Sequence, residues 1–150
     1  AIWINKSIVE NAVAELDNSK TNKFFRIRTV ANIFVGELAV CDIEMVDNNF
    51  VYPDGTLICS ETYKLQANDT GYEGLIMDFL TKVNHTAVNA GVLPDPMTGK
   101  VGSMDAATVI EAANAMRHTN GSFILTAYAR GDISTAGPVR VRLEVQPVNE

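Results

Sequence analysis

Four arginines occupy alternating positions in two segments that have the periodicity of β-strands; they are Arg26, Arg28, Arg140 and Arg142. Alternate residues of a strand point to the same side of a sheet, so the two arginines of each segment lie on one face. All four share a face if the two strands are neighbours in the sheet. A row of guanidinium groups of this kind is suited to bind phosphate, nucleic acid or an acidic protein partner.

Carboxylates with the same alternation offer these arginines partners within the chain. Asp42 and Glu44 lie in the first strand region, and Glu144 lies in the last strand. Opposite charges on neighbouring strands form cross-strand pairs, and such pairs contribute little to stability when they are exposed. We therefore prefer ion pairing to ligand binding as the interpretation of the arginine pattern, and a nucleic acid partner is not expected.

The other residue types that do chemistry in proteins are isolated from one another. His85 and His118 fall on the polar faces of two separate helices, which is typical of solvated histidines and not of metal ligands. Gly99 and Lys100 are followed by valine in place of the serine or threonine of a phosphate-binding loop. We assign no catalytic residue, cofactor or metal site, and the sequence favours a protein that is not an enzyme.

The two cysteines, Cys41 and Cys59, lie in strand-like segments joined by a turn. Neighbouring strands would place them side by side, and a disulfide closing that loop would contribute about 3 kcal/mol in the chain-entropy model. Free cysteines are also among the residues most often buried in protein cores. Two buried free thiols are the preferred interpretation, and the disulfide is the alternative.

The first residues of the sequence are apolar, although chain termini are usually polar and frayed. Ile2, Trp3 and Ile4 come before any helix signal. Apolar side chains at such a position need a surface to lie against. Two alternatives are open: an edge strand docked on its own domain, which we prefer, or an arm that docks on a neighbouring subunit.

Length and composition are typical of a soluble globular protein. The 150 residues suit a single domain, and 47% of them are hydrophobic. The net charge of −6 argues against nonspecific binding to nucleic acid or to anionic lipid. No apolar run approaches the roughly 18 residues of a membrane-spanning helix. We expect no membrane partner, and the composition assigns no cellular location.

The first part of the chain predicts a short helix followed by strands. Ser7 opens a capping box, and apolar residues gather on one side of the helix that follows it. The next strand region is longer than a usual strand, which predicts a break near Gly36. The strand segments predicted here span residues 24–46, 50–52 and 56–65.

The later part of the chain predicts two helices and then two strands. A capping box at Thr70 opens the strongest helix pattern, and Gly91 ends it. Pro138 and Pro147 bound the last strand, and prolines at both limits favour the edge of a sheet. The segments predicted here are a loop at residues 92–103, a helix at 104–118, and strands at 123–130 and 138–147.

These elements predict an α+β fold in the order αβββααββ. The apolar faces of the later helices and of the last strand must be buried against one another, so we expect a two-layer sandwich. It consists of an antiparallel sheet of four to six strands with helices packed on one face. The predicted organisation is one domain over residues 1–150 with an apolar N-terminal arm at residues 1–4.

The absence of a catalytic constellation favours a structural or assembly protein, such as a subunit of a viral particle or of another homo-oligomer. Self-association is expected, and the interaction candidates are Ile2, Trp3, Ile4, Arg26, Arg28, Arg140 and Arg142. Two alternatives stay open. One is a small-molecule-binding protein or enzyme with a pocket between helices and sheet, walled by residues 92–103. The other is an adaptor or inhibitor that binds a protein through a sheet edge or the arginine face.

Overall fold

A computed structural model describes residues 1–31, 34–64, 71–104, 106–119 and 121–148. The chain forms two compact units, Ala1–Asn49 and Phe50–Glu150, which are described separately below. Within the described residues, no helix has the length and apolar character that crossing a membrane requires.

The first unit contains one helix and one three-stranded sheet in the order β1-β3-β2. Strand β1 pairs with β3 in parallel, whereas β2 pairs with β3 in antiparallel orientation. The arm predicted at the start of the chain is therefore an edge strand on its own chain, the first of the two alternatives. The elements are β1 (Ile2–Ile4), α1 (Lys6–Asn18), β2 (Lys23–Thr29) and β3 (Ala39–Asp47).

Helix α1 is capped by Asn5, not by Ser7 as predicted. The Asn5 side-chain oxygen accepts a hydrogen bond from the Ser7 backbone N–H at 3.0 Å, so the helix begins at Lys6. Asparagine and serine are comparable caps, and the residue nearer the chain start takes the role here. The break predicted near Gly36 is confirmed, because Gly36 has a φ of 94° in the connection between β2 and β3.

The second unit contains two helices and two sheets, of order β5-β6-β8 and β4-β7. All of its strand pairs are antiparallel. Strand β8 lies at the edge of the larger sheet, as its two flanking prolines predict. The elements are β4 (Phe50–Tyr52), β5 (Leu57–Lys64), α2 (Tyr72–Asn89), α3 (Ala106–Arg117), β6 (Ser122–Ala129), β7 (Ile133–Ser134) and β8 (Val141–Pro147).

The core of the second unit lies between its helices and the middle strand of its larger sheet. Phe123, Leu125 and Ala127 alternate along β6 and are 0% exposed. Phe79 of α2 and Met116 of α3 are equally buried and belong to the same cluster. One face of the β5-β6-β8 sheet therefore supports both helices, and this contact fixes the positions of α2 and α3.

Helix α2 ends as its sequence predicts. Gly91 has a φ of 111°, and the Val92 N–H donates a hydrogen bond to the Ala87 carbonyl oxygen at 3.1 Å, which is the closing bond of a glycine C-cap. At the other end the helix begins at Tyr72, and Gly71 provides no side-chain cap. The predicted capping residue, Thr70, lies outside the described residues.

The α+β class is confirmed, but the predicted single sheet of four to six strands is not what the described strands form. They are divided among three sheets of three, two and three strands. The predicted order αβββααββ is extended in two ways. The strand region predicted at residues 24–46 divides into β2 and β3, and the short strands β1 and β7, which are three and two residues long, are added. Too few residues alternate in such strands for sequence periodicity to reveal their pairing.

Substitution by alanine is expected to have opposite effects on stability at two glycines of the second unit. Gly74 lies exposed in α2 with open space around its Cα, so Gly74→Ala stabilises the protein by about 0.5–1 kcal/mol through helix propensity. A Cβ at Gly102 would clash with the backbone carbonyl of Val139, so Gly102→Ala destabilises it by about 1–3 kcal/mol. Urea unfolding of both variants measures the two effects, and a neutral Gly102→Ala variant would contradict the close packing.

Candidate functional site

The predicted interaction residues at the start of the chain lie in β1, at the edge of its sheet. Ile2 pairs with Ala39, Trp3 with Val40 and Ile4 with Cys41 in the parallel register. Ile2 is 72% exposed and Trp3 is 48% exposed, although both are large apolar residues. The pairing fixes the backbone of the arm and leaves much of its apolar surface uncovered.

The four arginines do not form one row, because their strands belong to different sheets. Arg26 and Arg28 lie on β2 of the first unit, opposite Glu44 and Asp42 of β3. The Arg28 Nε lies 3.5 Å from a carboxylate oxygen of Glu44. Arg140 directly precedes β8, and its carbonyl oxygen accepts the Arg130 N–H at 2.9 Å. The predicted cross-strand pairing is thus present for Arg28.

Arg142 of β8 has two partners on its own sheet. Its guanidinium forms an ion pair with Glu144 of the same strand. The guanidinium carbon also lies 5.1 Å from the centroid of the Tyr128 ring, which is cation–π geometry. Both partners stand on the face opposite the helices, since Arg142 pairs with Tyr128 and Glu144 pairs with Thr126. Arg142 is therefore oriented by its neighbours on the sheet.

Both cysteines are free thiols on strands of different sheets, so the disulfide alternative is wrong. Cys41 is buried on β3. Cys59 lies on β5 beside a polar cluster in which Glu61 forms an ion pair with Lys82 of α2. The Tyr63 hydroxyl donates a hydrogen bond to the same carboxylate at 3.0 Å. Cys59, Glu61, Tyr63 and Lys82 therefore form a group of ionisable side chains between β5 and α2.

Electrostatics keep this cluster in ordinary protonation states at neutral pH. The hydrogen bonds from Lys82 and then from Tyr63 lower the pKa of Glu61, so Glu61 is charged. Burial, and then the hydrogen bond to Glu61, raises the pKa of Tyr63. Burial is also the largest cause that raises the pKa of Cys59, and the Glu61 charge raises it further. A thiol that resists ionisation is a poor nucleophile, so the cluster holds β5 against α2 and does not activate Cys59.

Metal binding has no counterpart in the part of the chain that the structure describes. Across those residues, no group of three or more histidine, cysteine, aspartate or glutamate side chains is close enough to hold an ion. His85 is exposed on α2, and His118 is exposed directly after the end of α3. The His118 Nδ1 lies 2.8 Å from the Asn114 carbonyl oxygen.

A groove of about 510 Å³ lies in the second unit between α2, the loop that follows it, α3 and the start of β8. Small-molecule sites in proteins typically measure about 300–1,000 Å³. Residues 98–104 form one wall, and all of them except Met104 belong to the loop at residues 92–103 from which the sequence predicts a pocket wall. The apolar part of the lining includes Met77, Leu80, Val83, Met104, Val109, Val139 and Val141.

The loop wall of this groove is held by the side chain of Asn84 on α2. Its amide nitrogen donates to the Gly99 carbonyl oxygen at 3.2 Å, and its amide oxygen accepts the Val101 N–H at 2.8 Å. The Val101 carbonyl oxygen in turn accepts the Val139 N–H at 2.8 Å. Helix, loop and strand are thereby joined by three hydrogen bonds, and the groove is preformed.

The charges around the groove have one sign. Lys100 is the charged residue of the described lining, which includes no aspartate or glutamate. This contrasts with the net charge of −6 of the whole chain. In the sequence, Lys100 differs from other lysines only by following Gly99, and Val101 after it rules out a phosphate-binding loop, so no signal marks Lys100 as a site residue. Asn84 is recognisable in the sequence as a polar amide among the apolar residues on one face of α2.

The family model of the DUF3084-associated C-terminal helical hairpin matches residues 57–149. The chain belongs to this family. Searches found no curated protein and no solved structure that matches the chain. The residues matched to the DUF3084-associated C-terminal helical hairpin contain the helix pair α2 and α3 and the whole lining of the groove. The first unit lies outside the matched residues.

The raised pKa of Cys59 predicts slow alkylation of its thiol. In a Cys41→Ser background, Cys59 reacts with iodoacetamide more slowly at pH 8 than free cysteine does, because less thiolate is present. Glu61→Gln removes a negative charge that raises the pKa, so the rate–pH profile moves to lower pH. Alkylation followed by mass spectrometry between pH 7 and pH 10 measures both effects.

Glu73→Gln is the matched control for this experiment, since Glu73 is an exposed carboxylate in the first turn of α2 and pairs with Arg117. It leaves the profile of Cys59 unchanged. If Cys59 instead reacted at pH 7 faster than free cysteine, the thiol would be an activated nucleophile and our interpretation of the cluster would be wrong.

Proposed function

We propose that the protein is a non-enzymatic assembly subunit, such as a component of a viral particle or of another homo-oligomer. In this proposal the first unit, Ala1–Asn49, packs against a second copy of the chain. The observation that carries the proposal is the exposure of apolar side chains in that unit. Contiguous apolar surface of this kind is typical of sites of protein association.

The first unit buries little of its own apolar content. Its buried hydrophobic residues are the small ones, Ala12, Ala39 and Cys41. A chain segment of this size buries too small a fraction of its surface to be stable without further contacts. Large hydrophobic residues of the unit are exposed instead; they are Ile2, Trp3, Val9, Val13, Phe25, Ile27, Val30, Phe34, Val35, Leu38 and Val40.

Part of this exposed surface forms one continuous sheet face. Phe25 and Ile27 lie two residues apart on β2, so their side chains share a face, and they are 51% and 54% exposed. Met45 and Ile43 stand opposite them on β3. Each large apolar side chain that becomes fully buried contributes about 1.5–3 kcal/mol. Association costs roughly 4–15 kcal/mol, so several of these residues must be buried together.

The charges on this sheet face suit a second copy of the same chain. The charged residues that β2 and β3 place on it are Lys23 and Asp47, whose side chains lie 2.8 Å apart. The hydrogen bond to Lys23 lowers the pKa of Asp47, so Asp47 remains ionised. Glu15 of α1 also lies 3.8 Å from the Lys23 Nζ, so both carboxylates are paired with the same ammonium. Two copies with a net charge of −6 each repel one another, so a contact surface must not add unpaired carboxylates to that repulsion. This face meets that requirement.

Replacing the apolar pair on β2 by charge tests this face. The double variant Phe25→Asp/Ile27→Asp places uncompensated carboxylates on the proposed interface, so it dissociates the oligomer to a monomer at micromolar concentration. Analytical ultracentrifugation measures the mass, and far-UV circular dichroism verifies that the variant is folded.

The control is Met97→Asp, which adds charge at a residue of the second unit that is 93% exposed. It leaves the oligomer intact. A wild-type protein that sediments as a monomer at high concentration would overturn the proposal. So would an oligomer that persists unchanged in the folded double variant.

Deletion of residues 1–4 tests the contribution of the edge strand. Removing β1 takes away Ile2 and Trp3 and also uncovers the backbone groups of β3 that pair with it. Association weakens by about tenfold or more if each lost side chain contributes about 1 kcal/mol. Ile2→Ser keeps the backbone pairing and is the milder companion variant. Ile2 pairs with Ala39 and therefore lies on the same sheet face as Ile43 and Met45, whereas Trp3 pairs with Val40 and lies on the other face. Unchanged association and unchanged thermal stability after the deletion would remove the arm from the interface.

A further inference from the structure

We propose that the groove in the second unit is a binding site for an amphipathic monocarboxylate, a molecule with an apolar chain and one carboxylate group. This site is separate from the proposed assembly surface, because all of its lining residues belong to the second unit. The description of the matching family names no ligand for this groove.

The apolar wall of the groove favours a ligand whose main part is a hydrocarbon chain. Val83 and Val139 are buried at the groove, and Leu80, Val109 and Val141 are half-buried around it. These side chains come from α2, α3, β8 and the segment before β8, so they surround the space from several sides. Burial of an unbranched alkyl chain there favours binding by about 0.8 kcal/mol for each CH₂ that is removed from water.

The positive charge of Lys100 at one end of the groove favours a ligand with an anionic head group. Lys100 is exposed on the loop wall, and no described residue forms a salt bridge with it. No aspartate or glutamate is among the described lining residues. Lys100 is one ammonium on a flexible stem, which attracts an anion as a point charge.

The donor inventory favours a carboxylate over a phosphate. No arginine lines the described part of the groove, and phosphate sites commonly use the bidentate geometry of arginine or several backbone N–H groups. The Asn84 amide is already engaged with Gly99 and Val101. The Thr81 hydroxyl already donates to the Met77 carbonyl oxygen at 3.0 Å. One ammonium with the Ser103 hydroxyl in the lining is sufficient for a monoanion.

The groove needs little rearrangement to receive this ligand. Asn84 holds the loop wall to α2, and the Val101–Val139 hydrogen bond holds it to the segment before β8. The loop is also fixed internally, since the Asp95 side chain accepts the Met97 and Thr98 N–H groups at 3.0 and 2.8 Å. A wall that is already ordered loses less conformational entropy on binding.

The experiment uses the full chain and three probes of equal chain length, decanoate, decanol and decyltrimethylammonium, in isothermal titration calorimetry. Decanoate binds with one-to-one stoichiometry and more tightly than the other two. Lys100→Ala weakens decanoate by about two- to fivefold, which is the range of an exposed ion pair. Lys100→Glu inverts the order, so that the cationic probe binds more tightly than decanoate.

Two further variants separate the groove from other causes. Val109→Trp fills the apolar part of the space and removes the binding of all three probes, while circular dichroism verifies its fold. Lys64→Glu makes the same change in net charge as Lys100→Glu at an exposed residue of β5 outside the lining, and it preserves the order of affinities.

Three results would overturn the proposal. The first is the absence of saturable decanoate binding, and the second is decanoate binding that neither Lys100→Glu nor Val109→Trp alters. The third is a folded Val109→Trp variant whose oligomer mass changes while the wild-type protein binds none of the probes. That result would make the groove a protein docking site. Loss of self-association alone would sink the assembly proposal and leave the ligand site untouched, so the two proposals fail separately.

Discussion

Burial of one face of β6 is the constraint on which the second unit depends. Phe123, Leu125 and Ala127 lose all contact with water only if both helices cover them and if β5 and β8 flank the strand. Helix α2 brings Phe79, and α3 brings Met116, to the same cluster. Because protein interiors pack at crystal-like density, the positions of the two helices over this face are closely determined. The groove is the space that remains beside this packing.

The groove owes its shape to a small number of polar contacts outside the core. Gly102 allows the loop to approach the backbone of Val139 closely, and any larger residue would push the loop away. Asn84 then fixes the loop to α2 through two backbone groups. An apolar residue in place of Asn84 would leave those backbone groups without their partner, at a cost of about 1–3 kcal/mol for a buried group. Core packing and loop geometry are thus connected through one amide side chain.

The sequence predicts the elements of this protein better than their pairing. The helix positions, the turn at Gly36, the cap at Gly91 and the edge position of the last strand all follow from local signals: periodicity, glycine and proline. Division into three sheets does not, because pairing depends on contacts between residues far apart in the chain. Strand periodicity gives the face on which Arg28 or Arg142 lies, but it does not tell which strand stands beside it.

The candidate site shows the same limit. The loop at residues 92–103 was recognisable as a pocket wall because of its length and its glycine and proline content. The apolar lining was not recognisable as a site, since Val83 and Val109 have the same spacing as core residues. The distinction between a core valine and a groove valine depends on whether the opposite element fills the space. That is a property of the packed helices and loop, and no residue of the sequence carries it alone.

The two units differ in where their stability comes from, and this difference connects the fold with the proposed function. The second unit buries large side chains within itself, whereas the buried residues of the first unit are Ala12, Ala39 and Cys41. Contacts made by a partner that binds only the folded state add to stability by mass action. If the first unit buries its apolar face against a second copy, its order depends on protein concentration, while the order of the second unit does not. Association and folding are then one equilibrium for residues 1–49, which is the behaviour of a subunit that reaches its final structure on assembly.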